Sequence, residues 1–99
     1  MKLGNYECKT TFWSDFTIAE RFGHSAVKDT FRRAFKEWKT NAEFLTELSM
    51  VLNWKSWAHY EAGNHELATI YSKFWEEVHE YAYTHLKGDD LSYYWSITD

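Results

Sequence analysis

The chain has 99 residues, twenty of them aromatic, and 15 acidic against 11 basic side chains give it a formal charge of −4. A single domain over residues 1–99 is expected, with little room for a second, and the charge excludes a global attraction to nucleic acid or anionic lipid. The lone Cys8 excludes an internal disulfide, and no apolar run reaches the ~18 residues of a membrane span.

Unpaired cysteine fits a reducing compartment, and Met1–Asn5 lacks the apolar core of a signal peptide, so the expected location is the cytoplasm. Proline is absent, and Gly23, Gly63 and Gly88 fall where the apolar periodicity breaks, as helix C-caps do.

Before Thr11 a short strand and coil are equally compatible with the residues. A first helix is expected from near Ser14 to Phe22, with Ser14 or Asp15 as N-cap and Phe12, Phe16 and Ala19 at helical spacing. The second runs from near Ser25 to about Lys39. Val27, Phe31, Ala34, Phe35 and Trp38 form its apolar stripe, with Asp29, Arg33 and Glu37 as i,i+4 pairs on one flank.

Thr40-Asn41-Ala42-Glu43 matches a capping box and opens a third helix reaching about Glu61. Its apolar arc, including Leu45, Leu48, Leu52, Trp54 and Ala58, covers more than half the circumference and marks it as the central helix. Asn64 caps a fourth helix that ends before Gly88. Leu67, Tyr71, Phe74 and Val78 lie on one side of it and Glu66, Lys73, Glu76 and Glu77 on the other. The short Ala62-Gly63-Asn64 link makes helices three and four antiparallel neighbours. Asp89 or Asp90 caps a last short helix through Tyr94 and Trp95. The expected fold is all-α, a compact bundle of four to five helices around a central antiparallel pair.

Several stretches, Asp15-Phe16-Thr17-Ile18-Ala19 with Phe22-Gly23, Asp29-Thr30-Phe31 with Arg33-Ala34-Phe35, Thr46-Glu47-Leu48 with Asn53-Trp54-Lys55, and the closing Tyr93-Tyr94 and Thr98-Asp99, carry a resemblance. Over nearly its whole length the chain resembles a family of small uncharacterised helical proteins of gut bacteria and their phages or integrative elements. That family has no assigned activity, so the resemblance implies a mobile-element setting and no site.

Ile18-Ala19-Glu20-Arg21-Phe22-Gly23 followed by Ser25-Ala26-Val27 looks like a helix-turn-helix, and Lys28, Arg32, Lys36 and Lys39 share one flank of the next helix, where they suit phosphates. A DNA-binding regulator using residues 15–39 is therefore one reading. Against it, the position ten residues after Ala19, an aliphatic in common helix-turn-helix sequences, is Asp29, and a basic flank is ordinarily a solvated helix face.

Metal or small-ligand binding in the bundle is a further reading, resting on Glu76-Glu77-Val78-His79. Di-iron bundles need two such Glu-x-x-His motifs and two more glutamates, and this chain has one. His65-Glu66-Leu67-Ala68-Thr69 lacks the second His of a zincin helix.

His59 and His85 each belong to an apolar face but lie apart by about 18 residues of helix, roughly 27 Å. Lys55, inside the apolar arc, is expected to snorkel its amine to solvent. Cys8 has no histidine at a readable spacing, and no glycine-rich loop cradles a phosphate. No metal, cofactor or enzymatic activity is expected.

The expectation that remains is a non-enzymatic interaction module. Each aromatic buries about 150–250 Å², and twenty exceed what one small core encloses. On the third helix Met50 and Trp57 project together, with Trp54 between them and the core. Met50, Trp54 and Trp57 thus form the candidate interaction surface, to be covered by the first two helices or by a second subunit in a homodimer. An unidentified protein is the other expected partner.

Overall fold

A computed structural model describes residues 1–98. Five helices appear among the described residues, preceded by a small hairpin of β1 (Lys2–Leu3) and β2 (Tyr6–Glu7). The strands pair antiparallel, with Lys2 opposite Glu7 and Leu3 opposite Tyr6. Two-residue strands are too short to show a period of two, so the sequence left this segment open. Gly4, at φ 62°, opens the turn, and a Cβ there would stand 3.5 Å from the Trp54 ring. The hairpin therefore lies on α3, and Leu3 is buried beneath it.

The first helix, α1, spans Phe12–Glu20, α2 spans His24–Trp38, α3 spans Ala42–Glu61, α4 spans His65–His85 and α5 spans Gly88–Thr98. The first begins two residues before Ser14, with Thr11 as its N-cap and Thr11 Oγ1 donating to Asp15 (3.0 Å) instead of capping the backbone. The cap of α3 is Asn41, not Thr40: its side chain accepts from the Phe44 amide at 3.1 Å, and Glu43 is freed to pair with Lys9.

Between α3 and α4 the Asn64 amide donates to the His59 carbonyl (2.8 Å) and the Gly63 amide to that of Tyr60 (3.1 Å). This is the double bond pattern of a Schellman turn, whose left-handed position is filled by Gly63 at φ 84°. Gly88 does not play the same part: α4 ends at an extended Leu86, and Gly88 is the first residue of α5.

The bundle is organised around α3. Leu45, Leu48, Val51 and Leu52 are fully buried, facing Phe16 of α1, Val27 and Phe31 of α2, Tyr71 and Val78 of α4, and Tyr94 of α5. Ring geometry fixes the register of the layers. Phe31 stacks on Phe74 (centroids 4.1 Å apart), and Phe16 meets Tyr71 edge-on at 5.5 Å. The Cα radius of gyration is 12.8 Å, the value of a folded chain of this length and far below that of an open one. No helix of the described residues is long and apolar enough to cross a membrane.

Candidate functional site

Met50, Trp54 and Trp57 lie on successive turns of α3, as their spacing predicts. Met50 is half-buried against the core, while Trp54 and Trp57 remain 42% and 59% exposed. Neither α1 nor α2 covers this sector. The hairpin reaches it at Trp54, and α5 packs on α3 beside Met50, where Tyr94 bonds Ser49.

Two aromatics that sequence reasoning missed extend the surface. Tyr60, 57% exposed, meets the Trp57 ring at 6.1 Å and stacks on His65 at 5.1 Å. Tyr60 follows Trp57 by one turn, so its proximity was available from helical spacing. His65 comes close because the Gly63 turn folds α4 back. Together they border an open groove of ≈ 570 Å³ between α3 and α4, rimmed by Lys73 and Glu76.

The basic flank of α2 stands exposed beside the two-helix corner of α1 and α2, as the helix-turn-helix reading needs. Lys28, Arg32, Lys36 and Lys39 are all exposed, beyond a three-residue turn, Arg21–Gly23. Arg32 pairs with Glu77 of α4 and lies over the Phe31 and Phe74 rings at 5.1 and 5.7 Å. Lys39 lies over the Tyr81 ring at 5.7 Å. Two of the four cations thus belong to the seam between α2 and α4. Asp29 is exposed, and Val27 and Phe31 are the buried residues of α2.

Beneath α1 lies a polar cluster that no local pattern announced. The Glu20 carboxylate accepts from Tyr71 OH (2.5 Å) and His59 Nε2 (2.9 Å), and Lys55 Nζ lies at 3.1 Å. Lys55 also donates to Thr17 Oγ1 (2.6 Å) and stands 4.4 Å from the centre of the Trp13 ring. Its side chain is only 5% exposed, so the expected snorkelling does not occur: a carboxylate, a hydroxyl and a ring face replace the water it would have sought. His59 is a hydrogen-bonded boundary histidine, with Asn64 Nδ2 at 3.3 Å from its Nδ1.

His85, expected on an apolar face, is exposed; its ring stacks on Tyr81 at 4.1 Å. Burial pushes the Glu20 carboxyl up, but bonds from Tyr71 and His59 and the charge of Lys55 outweigh it and hold the group below the usual 4.5. A carboxylate whose folded value is depressed adds stability above its unfolded value and loses it as pH falls through the folded one. Urea melts are therefore expected to weaken from pH 5 downward, and Glu20→Gln should flatten that slope. An unchanged slope would contradict the role.

A second carboxylate, the fully buried Glu47, organises the N-terminal arm. It accepts from the amides of Lys9 (2.6 Å) and Thr10 (2.8 Å), from Tyr6 OH (3.1 Å) and from the Thr10 hydroxyl. Cys8 lies in this arm, where burial and the Glu47 charge push its thiol up, which disfavours the nucleophilic thiolate.

The Glu-x-x-His pair is split between environments. Glu76 is exposed, whereas His79 stacks on Trp75 and has its Nδ1 2.7 Å from Tyr94 OH. Tyr94 in turn donates to Ser49 at 3.0 Å, and burial is the main reason its hydroxyl is pushed up to about 12. Among the described residues no three His, Cys, Asp or Glu side chains cluster as a metal would require. The buried polar groups described above thus tie helices to one another and to the N-terminal arm. In comparisons with known proteins, no family model, curated protein or solved structure matches the chain, and the mobile-element setting rests on the sequence resemblance alone.

Proposed function

We propose that this protein is a non-enzymatic helical interaction module that self-associates through the aromatic strip of α3, serving as an accessory factor of a bacterial mobile element. The carrying observation is the exposure of Trp54, Trp57 and Tyr60 at one-turn spacing on the central helix, the last two in ring contact. Large exposed aromatics that touch one another form a patch, unlike apolar residues scattered singly. Trp, Tyr and Met are the residues enriched in interface cores.

A second copy is the occupant that fits. A standard interface takes about 800 Å² from each partner, and three aromatic rings supply its dry centre. Lys73 and Glu76, both on the groove rim, give opposite charges that pair across a two-fold axis. Light scattering at micromolar concentration is expected to give twice the 11.9 kDa of one chain. Trp57→Glu should give the single-chain mass with an unchanged far-UV spectrum. A monomeric wild type, or a dimer that persists in Trp57→Glu, would overturn the reading. The DNA-binding reading draws support from the three-residue turn, but only Lys28 and Lys36 lie clear of the contacts with α4.

A further inference from the structure

A second cleft, ≈ 850 Å³, lies between α1, α2 and the start of α3. Its walls include Ala19 of α1 and Ala26 and Ala34 of α2, where longer side chains would interdigitate and close the gap. Phe12, Trp38 and Phe44 line it as well, and the last two are held edge to face at 4.6 Å. At the other end Ile18 and Phe22 are 53% and 78% exposed. The surface combines these apolar side chains with Thr10, Thr11 and Thr30 and with charged groups, and two large apolar side chains stand exposed at one end.

The rim carries a charge of definite sign. Asp15, Asp29 and Glu37 border the cleft, with Arg33 between the last two on α2. The expected pairing of Asp29, Arg33 and Glu37 is absent: among the described residues no ion pair within 4.0 Å joins them. Lys9, also at the border, is already paired with Glu43. Three carboxylates therefore face one guanidinium around a cleft that includes Phe12, Ala34 and Trp38.

That combination selects among occupants. Phosphate-bearing ligands are repelled by the rim. Helices and the Lys9–Thr11 segment bound the cleft, and the Lys9 and Thr10 amides are already taken by Glu47, so an extended peptide gains little backbone pairing, whereas an amphipathic helix laid in a groove needs none. The chain's own basic flank does not fit the role, because Arg32 and Lys39 are engaged with α4. We propose that the cleft receives a cationic amphipathic helix of a partner protein, its apolar face against Phe12, Ala34 and Trp38 and its Lys or Arg side chains against Asp15, Asp29 and Glu37. This site shares no residue with the α3 strip, so each proposal can fail alone.

Fluorescence anisotropy on the full chain tests it, with a labelled amphipathic Leu/Lys helix of about 12 residues, some three turns, and its Leu/Glu counterpart as probes. The Lys peptide should bind at least about tenfold more tightly than the Glu peptide, with a preference that shrinks as salt is raised. Phe22→Ser and Ile18→Ser, both at exposed positions, should weaken binding, and Trp57→Glu should leave it unchanged. Asp29→Lys with Glu37→Lys, checked for an unaltered melt, should invert the preference between the peptides. Equal affinity for both peptides, no binding by either, or a preference that survives the charge reversal would overturn the proposal. So would a self-associated form that Phe22→Ser dissolves, since the occupant would then be a second copy.

Discussion

Glu20→Ala is expected to cost about 3–5 kcal/mol, a large share of the stability of a domain this size. The substitution leaves the Lys55 ammonium buried with only Thr17 and the Trp13 ring for company, and it removes the acceptor of Tyr71 and His59. Burying an unpaired charge is the costly event, far more than losing the attraction itself. Adding Lys55→Met should therefore recover part of the loss, because the double variant no longer strands a charge. Tyr71 and His59 still lack their acceptor, so recovery should be incomplete. Urea denaturation of the two single variants and the double gives the coupling directly. A single-variant cost below about 1 kcal/mol would mean that the cluster is solvated.

Phe74→Ala tests the seam between α2 and α4 on comparable terms. Phe74 is 7% exposed and stacked on Phe31, so truncation opens a cavity between two helices that cannot close around it. The expected loss is about 3–5 kcal/mol. One turn along, Glu77 pairs with Arg32, yet both side chains are more than a third exposed. Glu77→Ala should then change stability by less than about 1 kcal/mol. Similar effects at both positions would place the face boundary of α4 wrongly.

The contrast between these sites explains what the residues disclosed and what they hid. Amphipathic helices announce themselves locally, so α2, α3 and α4 followed from the spacing of Val27 and Phe31, Leu45 and Leu48, and Tyr71 and Phe74. The turn between α3 and α4 followed from Gly63, whose backbone preference is intrinsic, whereas the α3 cap lies at Asn41 and not Thr40, and Asn64 stands at the start of α4 without a side-chain bond to its backbone. The carboxylates of Glu20 and Glu47 had no such signature. Glu47 captures amides 37 and 38 residues away in the chain, and Glu20 meets partners from α3 and α4. Nothing in the neighbourhood of either residue distinguishes it from a solvated glutamate, and Lys55 was misread for the same reason.

The candidate surface was partly visible. Helical geometry alone groups Met50, Trp54 and Trp57, but the addition of His65 depends on where the Schellman turn aims α4. The cleft between α1 and α2 was hidden altogether, because it arises from small residues on two helices whose packing angle no single helix encodes.

Self-association through the α3 strip is tested most directly by isotope-filtered NMR on a mixture of labelled and unlabelled protein. Contacts between copies are expected from the Trp57 ring to Trp54, Tyr60 or Met50 of the other chain, as a two-fold axis passing near Trp57 requires. Their absence at millimolar concentration, or their appearance at Ile18 and Phe22 instead, would contradict the proposed interface.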